Sequence, residues 1–230
     1  MRVAIVTVGD ELLAGEIADT NARWLCERLT ECGVDVERVT TVPDRVADIA
    51  RVVNEHRAAH DAVVVTGGLG PTHDDLTMEG VAAAVGRDVV EHEAALSWLT
   101  GDDGYSHDDL AEGTADIPEG ARFLENDAGV APGAVVESVY VLPGVPGEMK
   151  AMFERVADEF SGDRVHTETV VADEAESALI DRMSAVQERF DVTVGSYPGE
   201  TVRLRVRSTD ADEAERAAAW LRERVDAGQR

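Results

Sequence analysis

Hydrophobic residues along the first half of the chain follow two alternating spacings. Short apolar runs at Arg2–Val8 and Ala62–Val65 predict buried strands, and Val34–Val42 alternates between apolar and polar residues as a strand does. Between these runs, apolar residues recur every three or four positions, which predicts one helix capped by Thr20 or Asn21 and another that opens after Pro43. This order indicates an α/β fold, in which helices cover both faces of a mostly parallel sheet.

The same pattern continues to about residue 162. Helical spacing predicts helices over Leu76–Val85 and Glu93–Leu99, and the polar, acidic stretch Gly101–Gly120 is predicted to form a surface excursion or lid. Further strands are predicted at Ala121–Glu125 and Ala134–Val141, arranged as a hairpin-like edge. These elements extend the first sheet and its helical layers.

The hydrophobic pattern changes near Gly162, where a second domain is predicted to begin. Its order, strand-helix-strand-strand-helix, is typical of a small α+β domain. The sequence therefore predicts two domains, 1–163 and 164–230. The second comprises strands at His166–Ala172, Val192–Tyr197 and Val202–Ser208 and helices at Ala175–Phe190 and Asp210–Val225.

The segment after the third predicted strand offers the clearest candidate chemistry. Its sequence, TGGLGPTHDDLTMEG (66–80), places three glycines and two adjacent aspartates between a strand and a helix. Backbone amides of a glycine-rich turn at a helix N-terminus bind phosphate. Asp74 and Asp75 would repel that anion unless a divalent cation bridged carboxylate and phosphate. The alternative interpretation is an ordinary strand–helix turn with an acidic N-cap.

Two other segments also follow predicted strands, GDELL (9–13) with Asp19 and Asn21, and PGVPGEMK (143–150), so all three are expected to meet at one edge of the sheet. Asp19, Asp74 and Asp75 are candidate catalytic residues, with Asp74 and Asp75 as metal ligands. Taken singly, an aspartate here has a simpler explanation as a cap or turn former. The candidate ligand-binding residues are Gly9, Asp10, Glu11, Asn21, Thr66, Gly67, Gly68, Gly70, Pro71, Thr72, Thr77, Pro143, Gly144, Gly147, Glu148 and Lys150.

Lys150 stands out because it is the single lysine of the chain, whose other Lys and Arg positions are all arginine. Its place directly after PGVPGEM suggests a contact with a phosphate or ribose, since an ammonium is a compact point charge that a crowded site accepts. Chance is the alternative explanation.

The chain is strongly acidic, with 47 Asp and Glu against 21 Lys and Arg and a formal net charge of −26. Nucleic acids and anionic membranes require a basic face, so this balance argues against both as partners. The acid is spread along the chain, which indicates adaptation to a high-salt cytosol. No apolar run reaches the ~18 residues of a membrane span and no signal-peptide pattern opens the chain, so a cytoplasmic location is expected.

Motifs of several enzyme classes are absent from the sequence. It contains no Gly-x-Ser-x-Gly, no Walker lysine motif and no six-residue dinucleotide fingerprint. These absences weigh against serine hydrolases, P-loop NTPases and Rossmann-type oxidoreductases.

Three ordered segments, VGDELLAGEIADTNARWL (8–25), TGGLGPTHDDLTMEG (66–80) and LPGVPGEMKAMF (142–153), resemble the CinA family and, more broadly, the MoaB/Mog family of molybdopterin-binding domains. ESALIDRM (176–183) and SYPGETVRLRV (196–206) resemble the small domain that follows in CinA proteins. The resemblance implies a three-layer α/β/α main domain with a pocket for a phosphorylated nucleotide or pterin. A homo-oligomer is also expected.

The resemblance implies two alternative reactions for this pocket. In MoaB/Mog relatives, the positions that match Asp75 and Asp19 serve adenylyl transfer to molybdopterin. CinA-type domains are associated with hydrolysis of ADP-ribose that depends on a divalent metal ion (Mg, Mn or Co), with a monovalent cation as a further expected cofactor. We take ADP-ribose pyrophosphatase activity as the first hypothesis, adenylyl transfer or molybdopterin binding as the second, and a non-catalytic nucleotide-binding module as the third.

Three features depart from the CinA pattern. His73 stands where the family often has lysine, and Leu110–Pro118 reads LAEGTADIP where a segment rich in Asn, Lys and Gln is common. Many CinA proteins also continue into an amidohydrolase domain that acts on nicotinamide mononucleotide, and the sequence ends before it. The second departure bears most on catalysis, because those polar side chains could reach substrate.

The acidity predicts that the chain is more stable in salt. With a formal charge of −26, self-repulsion at low ionic strength disfavours the compact state, and screening removes it. We expect the thermal midpoint to rise between about 0.1 M and 3 M KCl, over which the screening length falls from ~10 Å to below ~3 Å. A midpoint that stays flat or falls over this range would contradict a high-salt origin of the charge.

Overall fold

The structure is a computed structural model that describes residues 1–70, 72–101, 110–111, 113–162 and 165–227. The chain divides into two compact units, Met1–Gly162 and Asp163–Arg230. Each unit has a hydrophobic core built from its own strands and helices.

A mostly parallel sheet forms the centre of the first unit. The strands described in this unit are Arg2–Val8 (β1), Asp35–Val42 (β2), Ala62–Thr66 (β3), Val89–Glu91 (β4), Asp116–Pro118 (β5), Arg122–Leu124 (β6), Gly133–Val136 (β7) and Val139–Leu142 (β8). Six of them form one sheet in the order β2-β1-β3-β8-β7-β6, and β4 pairs separately with β5. β1 runs parallel to β2 and β3, and β3 runs parallel to β8, whereas β6, β7 and β8 are antiparallel.

Helices cover both faces of this sheet. They are Asp10–Leu13 (α1), Thr20–Glu31 (α2), Val46–Ala59 (α3), Thr77–Val85 (α4), Glu93–Leu99 (α5) and Pro146–Glu154 (α6). On one face, Val3 and Ile5 of β1 pack with residues of α2 and α6, and on the other face Val6 and Val8 pack with α3 and α4. Because successive strand residues point to opposite faces, a strand buried on both sides is mostly apolar, as β1 and β3 are apart from Arg2, Thr7 and Thr66. The predicted three-layer α/β/α fold is confirmed.

Several local predictions differ from the structure. The predicted strand 134–141 is two antiparallel strands, β7 and β8, because the chain turns at Glu137, whose φ is 52°. The predicted surface excursion 101–120 contains a strand, β5, that pairs with β4; positions 102–109 and 112 lie outside the described residues. The cap of α2 is Asp19, whose Oδ1 accepts from the amide of Ala22 at 2.8 Å.

The second unit is a three-stranded antiparallel sheet with helices on one face. It comprises His166–Ala172 (β9), Glu176–Arg189 (α7), Thr193–Tyr197 (β10), Val202–Ser208 (β11) and Ala211–Arg222 (α8), with strand order β10-β11-β9. Val202, Leu204 and Val206 of β11 are buried against the helices, and the arginines between them are exposed. The predicted small α+β part is confirmed. Among the described helices, none is long and apolar enough to cross a membrane.

Gly80 gives a test of how tightly the α3/α4 layer packs. A Cβ at Gly80 would lie 2.5 Å from Cγ2 of Ile49, a fully buried side chain of α3. Gly80→Ala is therefore expected to lower the free energy of unfolding by ~1–3 kcal/mol, the cost of overpacking, although alanine is the better helix former by ~1 kcal/mol. Denaturant titration in fixed high salt measures this change.

Gly147→Ala is the matched control, since Gly147 lies in the first turn of α6 and a Cβ there would meet nothing within 4 Å. We expect no loss of stability for this variant. An unchanged midpoint for Gly80→Ala would show that α3 and α4 can separate at little cost.

Candidate functional site

A cavity of about 220 Å³ opens at the carboxyl ends of the parallel strands, as expected for an α/β sheet. All three predicted segments contribute to its wall, and none of its described lining residues is Lys, Arg or His. The predicted residues that line it are Gly9, Glu11, Asp19, Asn21, Thr66, Gly67, Gly68, Asp74, Asp75 and Gly144. Asp10 adjoins it through its backbone amide, which donates to Asp44 at 2.7 Å.

Gly67 sets the shape of the cavity because no side chain fits at this position. Its φ is 102°, and a Cβ would lie 2.2 Å from the carbonyl oxygen of Val8. Its amide donates to the carbonyl of Leu142 at 3.3 Å. This N–H, which the sequence predicted would bind phosphate, is therefore already used in a hydrogen bond to the end of β8. Gly144 faces it closely, with a Cβ position 3.2 Å from the Cα of Gly67.

Gly68 also has left-handed backbone, with φ of 61°. Its carbonyl accepts from the amide of Thr77 at 3.2 Å, and a Cβ would lie 2.5 Å from Thr77 Oγ1. This hydroxyl is buried and has no hydrogen-bond partner among the described residues. Thr77 therefore supports the turn from behind and is not part of the cavity wall.

Asn21 joins the three segments. Its Nδ2 donates to the carbonyl of Gly144 at 2.7 Å and lies 3.5 Å from Oγ1 of Thr66, whose hydroxyl donates to the carbonyl of Pro143 at 2.7 Å. Its Oδ1 is buried and lacks a hydrogen-bond partner within the described chain. An unpaired buried acceptor is costly unless a ligand donates to it, so Asn21 is suited to receive an N–H or O–H.

Asp44 belongs to this site and sequence reasoning did not select it. Burial raises the pKa of its carboxyl above the usual range, the hydrogen bond from the Asp10 amide opposes that rise, and the nearby carboxylates of Glu11, Asp10 and Asp74 add to it. Its position after a strand could have indicated this. Asp44 follows the end of β2, and Gly9 follows the end of β1, which is adjacent and parallel to β2, so the two residues lie at the same edge of the sheet.

The two aspartates of the glycine turn are held by Thr72. Oδ2 of Asp75 accepts from the Thr72 amide at 3.0 Å and also from its hydroxyl. The Thr72 hydroxyl, followed by a backbone amide, lowers the pKa of the exposed Asp74 carboxyl. Asp74 is therefore an ionised acceptor at neutral pH, and Asp75 is oriented by its own turn.

These oxygens are of the hard type that divalent cations prefer. Among the described residues, however, no three His, Cys, Asp or Glu side chains are grouped so that they could hold a metal ion together. The donor set fits a cation that takes one or two carboxylates and completes its shell with water and ligand oxygens, as Mg²⁺ does with phosphates.

Several predicted residues lie elsewhere. Glu148 accepts from Nδ2 of Asn126 at 2.7 Å and faces away from the cavity, and the exposed Lys150 ammonium lies 5.7 Å from the ring centre of Trp24. Gly147 is exposed in the first turn of α6. Pro71 lies outside the described residues. Gly70 and Thr72 line a different cavity.

That second cavity, of about 410 Å³, adjoins the first and shares Gly68 and Asp75 with it. Its wall mixes apolar and polar side chains. One part comes from the glycine turn and the start of α4, and the rest comes from β4, the 110–116 segment and the loop before β7, which sequence reasoning did not bring together with that turn. The side chains that line it include Leu69, Met78, Glu79, Val89, Leu110, Thr114, Asp116, Val130 and Pro132.

Comparison with known proteins gives matches over both units. The family model described as probable molybdopterin binding domain matches residues 4–162, and the model of the FAD synthase middle domain matches residues 164–229. A protein of Aeropyrum pernix is 42% identical over 251 residues, covering 99% of this chain and 93% of that protein. A CinA-like protein of Citrifermentans bemidjiense is 38% identical over 247 residues, covering 99% of this chain and 59% of that protein.

One solved structure adds a match to the fold. The crystal structure of CinA from Thermoplasma acidophilum, a protein of unknown function, is 35% identical, with a TM-score of 0.65. The match covers 70% of this chain and 99% of that one.

The raised pKa of Asp44 predicts that this group costs stability at neutral pH. Its folded pKa lies above its unfolded value, so the stability linked to it is present below the unfolded pKa, ~4, and is lost as the pH rises through the folded pKa. Asp44→Asn removes the charge and keeps an acceptor for the Asp10 amide. We expect its thermal midpoint to exceed that of the wild type at about pH 7 and to match it below about pH 4.

Asp158→Asn is the control for charge, because Asp158 is exposed and lies outside the cavity wall. Thermal melts of the wild type, Asp44→Asn and Asp158→Asn, recorded across pH in fixed high salt, measure the three midpoints. A midpoint for Asp44→Asn at or below that of the wild type at neutral pH would contradict the proposed electrostatic cost.

Proposed function

The chain belongs to the MoaB/Mog family of probable molybdopterin-binding domains, and within it to the CinA-like proteins, and we propose that its cavity binds a phosphorylated nucleotide or pterin and hydrolyses the diphosphate of an ADP-ribose-like nucleotide. The family matches confirm the resemblance found in the three motifs. They support a small-molecule ligand of the pterin or nucleotide class, and the hydrolytic reaction is our proposal.

One observation carries this proposal: carboxylates crowd a cavity whose described wall has no basic side chain. Glu11, Asp19, Asp44, Asp74 and Asp75 all line it. A phosphate enters such a site only with a positive charge between it and the carboxylates. A ligand that arrives as its divalent-metal complex meets this requirement, with Asp74 and Asp75 as the metal ligands. Mg²⁺, Mn²⁺ or Co²⁺ bound there would polarise a phosphoryl oxygen and lower the pKa of a bound water.

The chain's own residues would orient the rest of the ligand. The unpaired Oδ1 of Asn21 would accept a hydrogen bond from a ribose hydroxyl or a base N–H. Because Gly67 and Gly144 approach each other closely and carry no side chains, the ligand would contact backbone atoms at this part of the wall. Asp44, with its raised pKa, is suited to take a proton from the attacking water. Asp75 keeps its direction through the Thr72 amide.

Adenylyl transfer to molybdopterin is the second candidate, and the adjoining cavity favours it. Transfer between two molecules needs room for both, whereas hydrolysis needs room for one. The cavity of about 410 Å³ meets the first cavity at Gly68 and Asp75, so two ligands could meet at Asp75. A monovalent cation remains part of the same proposal, as a counter-ion for the crowded carboxylates.

Product analysis separates these candidates. The full chain is incubated in high KCl with ADP-ribose and each of Mg²⁺, Mn²⁺ and Co²⁺, and separately with ATP and molybdopterin. AMP and ribose 5-phosphate from the first reaction support hydrolysis, and adenylylated molybdopterin from the second supports transfer. Binding without either product, measured by calorimetry, would leave a nucleotide-binding module and overturn both reactions.

Asp75→Asn tests the role of the glycine turn. The change keeps the side-chain shape but removes the charge that would hold a cation, so turnover is expected to fall by ~10²-fold or more, the scale for loss of a positioned catalytic group. The thermal midpoint should change little, since Asp75 is only partly buried. Asp158→Asn serves as the matched control and should keep full turnover. Wild-type turnover in Asp75→Asn would remove this residue from the mechanism.

A further inference from the structure

Three exposed apolar side chains lie together at the mouth of the first cavity. Ile17 lines the cavity, Leu13 follows a lining residue, and Val145 lies between two lining residues. These side chains are between 53% and 56% exposed. Single apolar residues on a surface need no explanation, but a group of them around a cavity indicates that a ligand or a partner covers it.

An unpaired polar atom belongs to the same end of the cavity. Asn21 lies four residues after Ile17, and its Nδ2 donates to the carbonyl of Gly144, directly before Val145, at 2.7 Å. Its Oδ1 is buried and has no hydrogen-bond partner among the described residues. A buried acceptor without a partner costs free energy, so this oxygen is arranged for a donor that the ligand brings.

The cavity is too small for a whole nucleotide. Its volume of about 220 Å³ is below the ~300–1,000 Å³ of sites that enclose a drug-sized ligand, so it holds one part of the ligand. The charged side chains in its described wall are all carboxylates, so a phosphate enters only with a cation, at Asp74 and Asp75. The end at Asn21 and Ile17 instead offers one acceptor and an apolar surface.

A flat heterocycle that carries an amino group matches both features of that end. Its faces suit contact with Ile17 and Val145, and the amino group at its edge donates to an acceptor. A ribose matches only the acceptor, because polar hydroxyls project from its ring.

We propose that the first cavity takes the amino-bearing ring of its nucleotide or pterin ligand at the Asn21 end, where Oδ1 of Asn21 accepts from the amino group and Ile17 and Val145 cover the ring. The diphosphate of the same ligand then lies toward Asp74 and Asp75. The ligand class rests on the function proposed above, whereas the hydrolysis plays no part in this inference. Asn21, Ile17 and Val145 are thus the residues that select the ring.

Calorimetry of the full chain with ligands that differ by one group tests the hydrogen bond. AMP and purine riboside 5′-monophosphate have the same shape, except that the second has no amino group. In fixed high KCl with Mg²⁺, the second is expected to bind at least about 10-fold more weakly, because the buried Oδ1 of Asn21 stays unpaired. The ligand is varied rather than the residue, because Asn21 also binds the carbonyl of Gly144. Equal affinity for the two nucleotides would overturn the role of Asn21.

Single substitutions at exposed positions test the apolar contact. Ile17→Ser and Val145→Ser are each expected to weaken AMP binding by about 5- to 10-fold and to leave the affinity for ribose 5-phosphate unchanged, since only AMP carries the heterocycle. Ile180→Ser and Val39→Ser are matched controls that should bind AMP as the wild type does, because these side chains are 54% and 46% exposed and lie outside the cavity wall. An equal loss of ribose 5-phosphate affinity in Ile17→Ser would assign this end to the sugar and overturn the proposal.

Val130→Ser compares the two cavities, because Val130 is 36% exposed and lines the second one. We expect wild-type affinity for AMP in this variant. A loss of affinity in Val130→Ser, with none in Ile17→Ser, would assign the ring to the second cavity and overturn the proposal.

Pterin-6-carboxylate, which is also a flat ring with an amino group, identifies the source of the ring. Tighter binding than AMP, with the same loss in Ile17→Ser, would assign the Asn21 end to a pterin, and the reverse order would assign it to an adenine nucleotide. If the wild type binds neither compound, the ring site and the proposed ligand class both fail. If it binds AMP as expected but forms no AMP from ADP-ribose, the proposed hydrolysis fails and the ring site stands.

Discussion

The first unit depends on the close approach of three strand ends at Gly67. The Cα of this residue lies against the carbonyl of Val8 at the end of β1 and against Gly144 after β8, with no room for a Cβ. That contact brings the carbonyl of Gly144 within reach of the Asn21 amide, so the segments after β1, β3 and β8 form one wall. Any side chain at position 67 would push these turns apart and open the cavity floor.

Much of this arrangement was accessible from the sequence, because strand spacing and strand-end position are local signals. Parallel strands end at one edge, so residues after β1, β3 and β8 had to be neighbours. The sequence could not show which polar groups already have hydrogen-bond partners within the chain. The Gly67 amide donates to the carbonyl of Leu142, and Glu148 accepts from Asn126. Asp44 was missed because a single aspartate after a strand resembles a turn former until its burial is known. The second cavity was missed because no local pattern brings β4, the 110–116 segment and the 130–132 loop against the glycine turn and the start of α4.

The same carboxylates that suit the cavity to a cation make the fold less stable, because they disfavour the charge on Asp44. Asp44 is partly buried beside Asp10, Glu11 and Asp74; burial and these carboxylates disfavour its charged form, and the hydrogen bond from the Asp10 amide favours it. Functional sites commonly retain such unfavourable groupings because the ligand supplies the missing charge. In this chain the local cost is separate from the general surface acidity, since screening by salt acts less on a partly buried group than on an exposed one.

The hydrogen bond between Asn126 and Glu148 joins two parts of the first unit that hold different cavities. Asn126 also donates to the carbonyl of Ala131 at 2.9 Å, so it fixes the loop whose residues 130–132 form a wall of the larger cavity. Glu148 lies two residues beyond Pro146, which lines the smaller one. A displacement of the first turn of α6 on ligand entry would therefore be passed to the far wall. Occupancy of one cavity would then alter the affinity of the other, and thermodynamic linkage makes that influence mutual.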